Sequence, residues 1–187
     1  MNRQPAIRAI AAFWLALPSF LITPNVVTGQ EVEPRPRVIA AEEGFSSIGE
    51  NGFITLIKVG SLYNGASQLY VGSGIVPPRT ETPTHLHEVD EEVLYVLEGE
   101  IALTLNDEVH IVRKGGTAFI PPGTWMKVEN RSDSPARVLG ILPRGDVERC
   151  FRAIYPANDY YKTEADRNAD FAFCKTRMPE QPHGRAH

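Results

Sequence analysis

The chain is poor in cysteine, has no basic stripe and contains neither an internal repeat nor a low-complexity segment. Each shortage narrows what it can be. A net charge of -4 without clustered Lys or Arg argues against a nucleic-acid partner. Its two cysteines, Cys150 and Cys174, lie far from any metal-ligand spacing, so a cysteine-based metal site has no support. The one sustained apolar run, Ala9 to Ile22, falls short of the roughly 20 residues that a bilayer span needs and is interrupted by Pro18 and Ser19. What remains is ordinary globular stock. With 187 residues and 42% hydrophobic side chains the chain can bury one real core.

Arg3 and Arg8 precede that apolar run, and small residues follow it near Val27, Thr28 and Gly29. A basic start, an apolar middle and a small-residue end are the plan of a secretory signal peptide. Residues 1–29 are read as that signal, with cleavage near Gly29 or Gln30 and an uncleaved anchor as the alternative. The mature chain is then expected to be secreted or periplasmic, with no membrane association. In such a compartment Cys150 and Cys174 are expected to pair. The bridge would close a loop of roughly 25 residues and contribute on the order of 3 kcal/mol in the chain-entropy account; two buried free thiols are the alternative.

Residues 30–52, charged and proline-rich at the start, read as an N-terminal arm. From there β-rich segments recur at short intervals: Phe53 to Val59, Gln68 to Val76, Glu92 to Leu97, Ile101 to Leu105, Val109 to Val112, Thr117 to Ile120, Trp125 to Glu129 and Ala136 to Leu142. Turn signals at Gly99, Asn106-Asp107, Gly115-Gly116 and Pro121-Pro122-Gly123 separate them. Short strands at this spacing predict an all-β sandwich or barrel over residues 53–143. Residues 144–187 read as a helical extension and tail. Val147, Phe151 and Ile154 fall on one face of a predicted helix over 145–155, with further helical turns expected between Glu164 and Ala172.

The chemistry concentrates in the run from Thr84 to Glu100. His85 and His87 stand two apart, so a strand would turn both imidazoles to one side. A carboxylate arriving from the next strand would complete a hard-to-borderline metal pocket. His110 lies on another strand, and His183 and His187 lie in the tail.

His85, His87, Glu92 and Gly99 resemble the first motif of the cupin superfamily, and Gly115, Pro121-Pro122-Gly123 and Asn130 resemble its second. The resemblance covers roughly Phe53 to Leu142 and implies a single cupin jelly-roll β-barrel with a short C-terminal helix, similar to flavonol (quercetin) dioxygenase-like cupins. It implies His85, His87 and Glu92 as metal ligands, with Glu91 the runner-up carboxylate, and Glu92 doubling as the catalytic acid/base. The metal would be a divalent ion, with Fe, Mn, Ni, Cu and Zn not distinguished.

Two positions depart from the pattern. Arg79 stands where the first motif opens on glycine, and Met126 stands where the second supplies a fourth ligand, a histidine. A thioether is a poor ligand for Fe(II), Mn(II) or Zn(II) and suits copper(I). Three readings stay open. His85, His87 and Glu92 hold metal alone with Met126 as pocket wall; Met126 is a distant copper ligand; or the site binds no metal and the barrel holds an organic ligand. The first is adopted, giving a metal-dependent oxygenase of a small organic molecule. An isomerase, lyase or cyclase, or a non-catalytic binding protein, is the alternative. A homodimer is compatible with the arm.

Overall fold

The structure is a computed structural model that describes residues 33–48, 52–147, 149–150, 153 and 163–178. The expected signal segment therefore lies outside the described residues, as do His183 and His187. Twelve strands are described, all paired antiparallel: β1 (Phe45–Ile48), β2 (Ile54–Val59), β3 (Leu69–Val76), β4 (Thr80–Glu81), β5 (Leu86–His87), β6 (Glu92–Glu98), β7 (Glu100–Leu105), β8 (Glu108–Arg113), β9 (Thr117–Ile120), β10 (Met126–Asn130), β11 (Ala136–Pro143) and β12 (Thr176–Arg177). Two helices join them, α1 (Ser61–Asn64) and α2 (Glu164–Cys174).

Eight of these strands match the sequence expectation to within a residue or two. The other four escaped it for two reasons. β4, β5 and β12 are two residues long, too short to show a period, and β1 sits inside the stretch read as an arm. The helix expected over 145–155 opens as a 3-10 turn, Gly145–Val147, and most of its remainder lies outside the described residues. The helical turns foreseen near Glu164 form an eleven-residue helix, whose Thr163 hydroxyl accepts the backbone N–H of Asp166 at 3.2 Å.

The strands form a six-stranded sheet in the order β1-β2-β3-β11-β6-β9 and a four-stranded sheet in the order β4-β10-β7-β8, with β12 and β5 as a separate pair. The architecture is the double-sheet jelly roll that the resemblance implies, with the two sheets not hydrogen-bonded into one closed barrel. The core lies between the sheets. Val76, Val96 and Val138 come from the larger one and Ile101, Leu103, Met126 and Val128 from the smaller. Strand β11 shows the cause in its own pattern. Its residues alternate buried and half-buried from Ala136 to Leu142, so one face feeds the core. Each fully buried Val or Leu contributes roughly 1.5–3 kcal/mol. A second cluster, Ile57, Tyr70, Leu142, Val147, Cys150 and Cys174, packs the C-terminal extension onto the larger sheet. Cys150 and Cys174 are disulfide-bonded with Cα atoms 5.5 Å apart.

Arg79, where the motif calls for glycine, has φ 57°. The backbone keeps the left-handed turn and the side chain bears the strain. Its guanidinium reaches Asp133 at 2.8 Å, on a fully solvated surface.

Candidate functional site

His85 and His87 are set by β5 and the residue before it. His85 and Met126 exchange both backbone bonds, N–H to O at 3.0 and 2.8 Å. Gly123 donates its N–H to the His87 carbonyl at 2.7 Å. Glu92 opens β6 opposite Ile120 of β9. The turn between the imidazoles and the carboxylate, residues 88–91, is pinned at Asp90. This carboxylate is buried and receives a two-pronged bond from Arg144, Nε to Oδ1 at 2.9 Å and Nη2 to Oδ2 at 2.5 Å. Such a fork fixes direction as well as distance.

The three side chains are buried together. His85 and His87 are each 3% exposed and Glu92 is 4% exposed. The two rings meet edge to face with centroids 5.4 Å apart. His87 Nε2 lies 3.6 Å from Glu92 Oε2, and no hydrogen bond satisfies that buried nitrogen. Both outer nitrogens are engaged: His85 Nδ1 lies 2.9 Å from the Pro83 carbonyl, which can only accept, and His87 Nδ1 lies 3.3 Å from Thr176 Oγ1. His85 therefore carries its proton on Nδ1 and keeps Nε2 free.

Burial sets the charges. It lowers the His85 pKa and, aided by the neighbouring His85 and Arg144, lowers His87 to about 3. Burial alone raises Glu92 to about 8. At neutral pH both imidazoles are neutral and Glu92 is mostly protonated, so the 3.6 Å contact joins two uncharged groups and is no ion pair.

His85, Glu92 and Met126 line a partly open cavity of about 40 Å³ between the sheets. Its floor is bare backbone at Gly72, Gly74 and Gly140. A Cβ on Gly140 would come within 3.3 Å of Glu92 Oε1, so glycine there makes room for the carboxyl. Phe53, Leu94 and Val138 give the walls an apolar character. Met126, 3% exposed, is part of this wall, as the first reading expects.

The described residues contain no group of three or more His, Cys, Asp or Glu side chains gathered closely enough to hold a metal ion as they stand. The donors nonetheless fit a divalent cation in kind: a buried Nε2 that lacks a partner, a second Nε2 freed by the bond at its far nitrogen, and a carboxyl beside them. His110 stands apart on β8, half-exposed, with Glu108 at 3.5 Å. The sequence reading missed Asp90, Arg144 and Thr176. Asp90 carried a faint signal, as one of three acids within that turn. The other two reach the site from far along the chain.

A double-sheet jelly roll with an inward His-His-Glu set defines a class, and comparison with known proteins names it. Residues 73–142 match the family model described as Cupin domain, so this stretch of the chain is a cupin domain. It is 39% identical over 79 residues to the uncharacterized protein MJ1618 of Methanocaldococcus jannaschii, covering 42% of this chain and 62% of that protein. The chain thus spans less than two thirds of that relative's length. It is 28% identical over 106 residues to the polyketide synthase protein CurC of Streptomyces cyaneus, covering 56% of this chain and 68% of that one. The solved polyketide cyclase RemF from Streptomyces resistomycificus shares the fold, with TM-score 0.53 and 24% identity over 59% of this chain and 82% of that one.

Proposed function

We propose that this cupin holds a divalent metal ion through His85, His87 and Glu92 and catalyses proton transfer on a small, largely apolar carbonyl compound, in the manner of a cyclase or isomerase. One observation carries the reading. His87 Nε2 is buried without a hydrogen-bond partner, 3.6 Å from the buried carboxyl of Glu92, which with His85 lines a mostly apolar cavity. Leaving such a nitrogen unsatisfied costs about 1–3 kcal/mol, a cost that a ligand at the site would remove. The bound metal would act as a Lewis acid on a carbonyl oxygen. Glu92 Oε2 faces His87, while Oε1 lies over Gly140 and is the oxygen placed to take a proton. Phe53, Leu94 and Val138 would hold the hydrocarbon part and keep water out. CurC is named a polyketide synthase and RemF a polyketide cyclase, names that are compatible with chemistry on a carbonyl compound.

A second reading, oxygenation, is favoured by the donor set itself. Two imidazoles and one carboxylate are the ligands of many non-haem Fe(II) oxygenases. We also propose that the chain is exported through its first 29 residues, which the Cys150–Cys174 disulfide supports.

The test follows deuterium incorporation from D2O into a simple cyclic ketone by NMR, on metal-supplemented protein and on Glu92→Gln. Parallel electrode traces record oxygen uptake with a catechol. Exchange that depends on Glu92, without oxygen uptake, is the expected result. Oxygen uptake without exchange selects the second reading, and neither signal leaves a binding protein without turnover.

A further inference from the structure

We infer that Thr176 is a positioning residue for His87, carried to the site by a C-terminal strap that the Cys150–Cys174 disulfide anchors; the inference rests on the metal-site reading above. Thr176 is 6% exposed and lies opposite His87 in the β12–β5 pair. Its Oγ1 is 3.3 Å from His87 Nδ1. A hydroxyl that accepts from Nδ1–H leaves Nε2 with a bare lone pair, the form a metal needs and the form that matches an unpartnered Nε2 beside Glu92. The Pro83 carbonyl does the same for His85. The two imidazoles are thus oriented by different parts of the chain, one by a carbonyl two residues before it and one by a segment 89 residues away.

The strap is fastened along its length. Helix α2 ends at the disulfide residue Cys174, two positions before Thr176. Lys175 takes a left-handed turn with φ 50° and gives its carbonyl to the Glu88 N–H at 2.9 Å. Arg177 pairs with the Glu88 carboxylate. Upstream, Arg149 binds buried Asp170 at 2.6 Å, and Arg167 donates to the Ala153 carbonyl at 2.8 Å. The Lys175 and Arg177 contacts hold β12 against the chain just after β5, and the Arg149 and Arg167 contacts hold α2 to the segment around Cys150. The disulfide fixes its position to within two residues of the hydroxyl. A strap loosened at Cys174 loses the register that sets Thr176 against His87.

The experiment compares wild type, Thr176→Val, Thr176→Ser and the Cys150→Ala/Cys174→Ala pair. Two readouts are taken: the ¹⁵N shifts of the His87 ring in metal-free protein, and Co(II) affinity by optical titration. Wild type should show Nδ1 protonated and Nε2 bare. Thr176→Val, nearly isosteric, should mix the tautomers and weaken Co(II) about 10- to 100-fold. Thr176→Ser should return both readouts close to wild type, and the cysteine pair should move both in the direction of the valine variant although Thr176 is intact. Wild-type tautomer and affinity in Thr176→Val overturn the inference, as does an unchanged site without the disulfide. If wild type itself takes up no Co(II), the metal reading fails, and the ring-nitrogen shifts alone decide the role of Thr176.

Discussion

Metal uptake should release one proton, and it should come from Glu92. Burial holds this carboxyl at about 8, against an ordinary 4.5, while His87 is held at about 3 and His85 below 6.5. At pH 7 a group of that pKa is ~90% protonated, so a metal that needs the carboxylate displaces ~0.9 proton per ion. His87, already neutral, contributes almost none, and His85, pushed down by burial, contributes less than an ordinary imidazole. At pH 5.5 the Glu92 share rises only to ~1, and this carboxyl alone lowers apparent affinity about tenfold for each pH unit below 8. Ordinary pKa values give another pattern: the carboxylate is already ionised at pH 7, and two imidazoles near 6.5 release together ~0.5 proton at pH 7 and ~1.8 at pH 5.5. Calorimetric titration with Zn(II) in buffers of different ionisation enthalpy, at both pH values, measures the count directly. Release that climbs toward two protons as pH falls would refute the claim that burial, rather than the ion, keeps these imidazoles neutral.

The metal-free protein carries related expectations. Glu92→Gln should stabilise it at pH 8 by on the order of a few kcal/mol. A raised carboxyl pKa costs stability as pH climbs from 4.5 toward 8, so the gain should vanish near pH 4.5 in urea unfolding curves. His87 acts oppositely: stability should fall as pH drops from 6.5 toward 3, and His87→Gln should flatten that limb. Arg79→Gly should raise stability by about 1 kcal/mol in the same assay, since it relieves a left-handed φ at the loss of only an exposed ion pair. Met126→His should tighten Zn(II) binding on the order of tenfold or more, because it adds a nitrogen donor to the wall that His85 and Glu92 share; unchanged affinity would mean that residue 126 does not reach the ion.

The parts of the site that lie on regular strands were legible in the sequence. Glu92 and Met126 lie on strands β6 and β10, and His85 and His87, which sit at and beside the two-residue β5, follow from motif spacing. The structure buries all four together, with His85, Glu92 and Met126 on one cavity. What could not be read were contacts made by elements too short to have a period or too distant to share one. Thr176 belongs to a two-residue strand, and Arg144 meets Asp90 across 54 positions. The jelly roll itself was legible, whereas alternation shows that a strand has an inner face but not whether the sheet edges meet. Conformation also outlasted composition at residue 79, where the turn persists with φ 57° although arginine replaces glycine.

The most direct test is metal content by elemental analysis, on protein purified from the cells that make it and on His85→Ala, His87→Ala and Glu92→Ala. Close to one divalent ion per chain in the parent, and a loss of at least most of it in each variant, is the expected result. A parent free of metal, or variants that all retain full occupancy, would contradict the account.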